Sequence, residues 1–215
     1  PRSTLFPYTT LFRSDNITIS NNQIYDIFNA TTNSSGIRVG DGNTAWTISG
    51  NSIFQTATRT ITGAAIVHRG MWITPNVANL ADRANGFIIT GNFVGGTAAS
   101  AGGTPMTITS TTTAVLSCFD LSMGLGIPTS VQNNVVRNIA FTTTSTATVA
   151  FSGISTVNGV VNIGNITGNV IGSGTGTGSI TINHNGAGGV STGIRSNGGG
   201  VGGTNNVENN TIGSI

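Results

Sequence analysis

One phrase, repeated six times, limits what this chain can fold into. Its first instance is Ile17-Thr18-Ile19-Ser20-Asn21-Asn22-Gln23-Ile24. With the second Asn as anchor, the repeats fall at Asn22, Asn51, Asn92, Asn134, Asn169 and Asn210. Three residues before each anchor stands a β-branched aliphatic: Ile19, Ile48, Ile89, Val131, Ile166 and Val207. Two residues after it stands another: Ile24, Ile53, Val94, Val136, Ile171 and Ile212. The residue just before the anchor is always Asn or Gly. β-Branched residues favour strands, and Asn and Gly tolerate the left-handed backbone region at low cost. The phrase therefore predicts strand, one-residue left-handed corner, strand. An anchor amide stacked on its copy in the next layer can bond the Asn above and below, as stacked amides do in cross-β assemblies.

Anchor spacings of 29, 41, 42, 35 and 41 residues mean a solenoid with loops of unequal length. A second signature divides each interval. It is an aliphatic or aromatic residue, usually after Ser/Thr-Gly, at Ile37, Ile66, Phe119, Ile154 and Ile194. From these residues to the next anchor run 14, 26, 15, 15 and 16 residues. One arc is thus nearly constant, with a single insertion at residues 68–86, and the other varies. Gly and β-branched residues interrupt every candidate helix. A lone coil cannot bury its inward aliphatics; stacked coils pair in parallel about 4.8 Å apart and set like on like. The expectation is an all-β, single-stranded parallel β-helix of five to six coils without caps.

Residues 4–14, Thr-Leu-Phe-Pro-Tyr-Thr-Thr-Leu-Phe-Arg-Ser, resemble the translation of a common short-read sequencing adapter. Residues 1–14 are therefore set apart as a non-native segment, leaving residues 15–215 as the β-helix fragment. The eight basic residues are all Arg, and two of them, Arg2 and Arg13, lie in that segment. Six Arg then face six acids, so the basic isoelectric point is not a property of the repeats. This argues against nucleic acid and anionic membranes as partners. No apolar run approaches a membrane span. The single Cys118 excludes an intrachain disulfide and sits at an inward position of the second signature, as a buried thiol.

Two phrases, Ile48-Ser49-Gly50-Asn51-Ser52-Ile53 and residues 207–215, resemble the repeats of bacterial secreted right-handed parallel β-helix proteins. The likeness implies a right-handed helix and an extracellular or cell-surface location. It also implies a structural or adhesive role within a longer protein, or alternatively part of a polysaccharide-acting lyase or glycosidase. A glycosidase needs paired carboxylates roughly 5–10 Å apart. Here Asp15, Asp26, Asp41, Asp82, Asp120 and Glu208 fall on different arcs, so no catalytic residue, metal or cofactor is assigned. His68 with Arg69 reads as a surface pair at the mouth of the insertion, and His184 as a loop residue. Arg38 and Arg195 share one outward strand face, far apart along the axis. The insertion is the candidate binding loop for an extracellular glycan or surface partner. In it Trp72 would stack on a sugar and Arg69, Asn76, Asp82 and Arg83 would supply polar contacts. Thr runs at residues 109–113 and 142–146 resemble ice-binding arrays, but such arrays need a flat Thr-x-Thr row on every coil. The position of these runs in the variable arc argues against one.

Overall fold

A computed structural model describes residues 14–40, 42–73, 84–145, 149–174, 179–186, 189–197 and 203–215. The first layer holds β1 (Thr18–Ser20), β2 (Gln23–Tyr25) and β3 (Ser34–Val39). The second holds β4 (Thr47–Ser49), β5 (Ser52–Phe54), β6 (Arg59–Ile61) and β7 (Ile66–Ile73). The third has β8 (Ile88–Thr90), β9 (Phe93–Val94), β10 (Met106–Ser110) and β11 (Ala114–Ser122). The fourth has β12 (Thr129–Gln132), β13 (Val135–Val136), β14 (Ile139–Thr143) and β15 (Phe151–Asn158). β16 (Val161–Ile163), β17 (Val170–Gly172), β18 (Ile180–His184) and β19 (Ser191–Ser196) form the fifth, and β20 (Asn206–Val207) and β21 (Thr211–Gly213) the last. There is no helix among the described residues.

The chain visits the sheets in rotation, adding one strand to each of four sheets in the second to fifth layers. Among the described residues the first layer adds none to the third sheet, and the last adds to the first and second only. The first sheet is β1-β4-β8-β12-β16-β20, the second β2-β5-β9-β13-β17-β21, the third β6-β10-β14-β18 and the fourth β3-β7-β11-β15-β19. Every strand pairing is parallel. This is an all-β stack of parallel sheets, consistent with a β-solenoid.

The corner between the first and second sheets follows the sequence logic. Asn21, Gly50, Gly91, Asn133 and Asn209 have φ between 52° and 66°. Across the corner, each anchor amide nitrogen donates to the Oδ1 of the next anchor. The distances are 2.9 Å for Asn22 to Asn51, 3.0 Å for Asn51 to Asn92, and 2.9 Å for Asn92 to Asn134. They are 2.9 Å for Asn134 to Asn169 and 2.8 Å for Asn169 to Asn210. The same Oδ1 also accepts the preceding anchor's backbone N–H, at 2.9–3.1 Å. Asn51, Asn92, Asn134 and Asn169 are at most 1% exposed. An amide sealed from water would cost about 1–3 kcal/mol if unpaired; the column satisfies it.

On either side run the aliphatic columns. Ile53, Val94, Val136 and Ile171 are buried in successive layers of the second sheet. In the first sheet the column is Ile19, Ile48, Ile89, Val131, Ile163 and Val207. Ile163, not Ile166, fills the fifth place, and Ile166 is 78% exposed. Burial decides between them: registering Ile163 also buries Val161 beside it, whereas Ile166 would bring Gly164 instead. The corner is correspondingly longer. Its left-handed residue is Gly164, and Gln132 braces it by accepting the N–H groups of Ile166 and Thr167 and donating to Asn162 and Asn165.

The second signature is also corrected at one layer. Met71, not Ile66, stands between Ile37 and Phe119, followed by Ile154 and Ile194. The cause is a bend one residue earlier, where Gly36, Gly70, Cys118, Gly153 and Gly193 succeed one another. A Cβ on Gly70 would meet the Cys118 carbonyl at 2.5 Å, so the bend selects Arg69-Gly70-Met71 over Ala64-Ala65-Ile66. The expected insertion at residue 68 accordingly begins later, because β7 continues unbroken to Ile73.

Candidate functional site

The bend in the fourth sheet turns alternate side chains outward on both of its flanks. After the bend, the outward column is Arg38, Trp72, Asp120, Ser155 and Arg195, one residue per layer. Before it, the neighbouring column is Ser35, Arg69, Ser117, Ser152 and Thr192. Ten side chains from five layers thus share one external face.

Their contacts divide the face in two. At one end the Arg38 and Arg69 guanidiniums lie 4.5 and 4.2 Å from the Trp72 ring centroid. Arg69 also forms an ion pair with Asp120, diagonally across the strands, with both side chains 18% exposed. Beyond this cluster lies a groove of about 240 Å³ whose lining includes Arg69, Asp120, Ser117, Ser152, Ser155 and Arg195. Ser117 and Ser152 share a 2.8 Å hydrogen bond on its floor. Ser155 is 5% exposed, and its hydroxyl makes no hydrogen bond among the described residues. The Arg195 guanidinium has no ion-pair partner among them. Among the described residues the groove offers one cation without an ion-pair partner, one ion-paired carboxylate and three hydroxyls. That set can hold a hydroxylated ligand by hydrogen bonding and an anionic group by Arg195.

Several sequence expectations are revised here. Arg69 and Trp72 lie on β7, not in a loop, and the Trp72 ring already carries two guanidiniums rather than standing free for a sugar. Asn76, Asp82, Arg83 and Asp41 lie outside the described residues, as do residues 1–13. His68 is no surface residue: it points inward, is 1% exposed, and stacks on Phe28 with centroids 4.8 Å apart. Its Nδ1 is 2.8 Å from the Ser34 hydroxyl. Burial, reinforced by the nearby Arg59 charge, lowers its pKa to about 4. His184 ends β18, with Nε2 2.9 Å from the Ser191 hydroxyl. Cys118 is fully buried, and burial pushes its thiol pKa up.

Two of the other described acids serve local structure. Asp15 accepts from Thr44, and Asp26 accepts the Thr56 N–H and hydroxyl across adjacent layers. Among the described residues no three His, Cys, Asp or Glu side chains gather as a metal centre would require. The residues missed from sequence are Asp120, Ser117, Ser152 and Ser155. Their signal is present in the sequence: each lies one place after, or two before, Phe119 or Ile154, and setting the signature on Met71 brings Arg69 and Trp72 beside them. No protein-family model, curated protein or solved structure matches the chain.

Proposed function

We propose that this chain is a right-handed parallel β-helix acting as a stalk in an extracellular surface or secreted protein, with a structural or adhesive role. On this reading the outer face of the fourth sheet contacts a glycan or a surface partner. Right-handedness follows the general rule for parallel crossovers. The layered amide column supports the stalk role, because it locks register between coils and makes a stiff rod.

The observation that carries the contact role is the column Arg38, Trp72, Asp120, Ser155 and Arg195 beside the serine-floored groove. Polar groups on a rigid strand face are held more closely than groups on a loop. A hydrolase or lyase reading has less support, since among the described residues Asp120 is the groove's one carboxylate and it is ion-paired to Arg69. The test is a glycan array probed with the chain and with Arg195→Ala. Binding that falls at least tenfold in Arg195→Ala supports a contact face. A uniformly blank array leaves the stalk as a spacer only.

A further inference from the structure

The third sheet has an external face of different character. Its outward columns are Thr60, Thr109, Thr142 and Asn183, and beside them Thr107, Ala140 and Thr181. Thr58, just before β6, continues the second column by the same register. Each of four successive layers therefore presents a two-position row: Thr58-x-Thr60, Thr107-x-Thr109, Ala140-x-Thr142 and Thr181-x-Asn183. Within the variable arc, the leading residues of the two runs, Thr109 and Thr142, lie on regular strands paired without any register shift.

Three properties of this face point to one ligand. It is uncharged: Arg59, the charged residue in these strands, shares a column with Ile108 and Phe141, whose side chains face the core. Its hydroxyls are available. Those of Thr58, Thr60, Thr109, Thr142 and Thr181 make no hydrogen bond among the described residues, and only that of Thr107 does, to the Pro105 carbonyl at 3.2 Å. It is also periodic in two directions, about 4.8 Å between strands and roughly 6.6 Å between alternate residues of a strand. Threonine is β-branched and stiff at χ1, so hydroxyl and methyl are presented in fixed positions. Such a mesh is poorly suited to a flexible polar ligand, which needs convergent rather than parallel donors. It suits a ligand that is itself a flat lattice of hydrogen-bonding oxygens.

We infer that the third-sheet face binds ice. Its hydroxyls anchor an ordered water layer, and its methyls exclude water that does not fit the lattice. The inference is independent of the glycan-contact reading, which concerns the fourth sheet.

The experiment measures thermal hysteresis and inhibition of ice recrystallisation by the full chain, with circular dichroism to verify folding. The wild type is expected to shape ice crystals and arrest their growth. The double variant Thr109→Lys/Thr142→Lys should lose that activity while keeping the wild-type spectrum, because its changes lie on the outer face. A gain-of-function variant, Ala140→Thr/Asn183→Thr, fills both gaps in the rows and should raise hysteresis above wild type. A folded wild type that neither shapes ice nor slows recrystallisation overturns the inference, as does equal activity in the lysine variant. If the lysine variant does not fold, the gain-of-function pair decides, and hysteresis no higher than wild type overturns the assignment.

Discussion

Replacing Asn92 by Ala tests the amide column at its most buried point. The Asn92 side chain donates to Asn134 Oδ1 at 2.9 Å and to the Ile48 carbonyl at 2.8 Å. Its Oδ1 accepts the Asn51 backbone N–H at 3.1 Å and the Asn51 amide at 3.0 Å. Alanine removes these contacts, and a further bond to the Thr90 carbonyl at 3.2 Å, in a site with no exposure to water. The Asn51 backbone N–H is then left without its acceptor, and the Ile48 carbonyl loses a donor. At about 1–3 kcal/mol for each of the two stranded groups, the loss is about 2–6 kcal/mol. For a chain of this size that lowers the melting temperature by roughly 4–24 °C. Asn22→Ala is the internal control: Asn22 is exposed and its Oδ1 accepts nothing from another anchor, so its loss should stay below about 1 kcal/mol. Thermal and urea melts followed by circular dichroism compare the two. The reasoning fails if Asn92→Ala melts within error of wild type, or if Asn22→Ala is as damaging.

Three other outcomes are expected. Because the folded pKa of His68, about 4, lies below its ordinary 6.5, its contribution to stability is complete above pH 6.5. That contribution is lost as pH falls toward 4, by at most roughly 3 kcal/mol. Urea midpoints measured across that window should slope in wild type and flatten in His68→Leu; equal slopes would refute the assignment. Arg69→Ala should destabilise by under about 1 kcal/mol, since its ion pair is partly exposed. It should also shift Trp72 fluorescence in a Trp46→Phe background, and an unchanged spectrum would contradict the guanidinium contact. The Cys118 thiol should ignore a thiol reagent until the protein unfolds, so rapid labelling of the native chain would place it elsewhere.

The columns were legible in the sequence because the residues that build them have little chemical freedom. A corner that demands φ > 0 selects Asn or Gly, and its inward neighbours must be aliphatic, so five of the six phrases could be set in register from spacing alone. The sixth misled because Ile166-Thr167-Gly168-Asn169 repeats the spelling of Ile89-Thr90-Gly91-Asn92. Local identity could not reveal that Val161 and Ile163 together bury more than Ile166. The sequence pattern points to Ile66 in place of Met71 for a similar reason. Both are inward-facing hydrophobes, and the contact that separates them, Gly70 against the Cys118 carbonyl, joins residues far apart in the chain. The candidate site was legible only in its chemistry. The sequence marks Trp72 and Arg69 as residues able to bind but gives no sign that they stand on a strand. Asp120 and Ser155 reach the same face only through cross-layer register, which depends on placing Met71 correctly.

Side-chain amide exchange of the anchor asparagines, followed by nuclear magnetic resonance, tests the stacked column most directly. The account predicts slowly exchanging Nδ2 protons at Asn51, Asn92, Asn134 and Asn169, with contacts between the amides of consecutive anchors. It also predicts much faster exchange at Asn22. Rapid exchange at all six, with no contact between successive anchors, would contradict it.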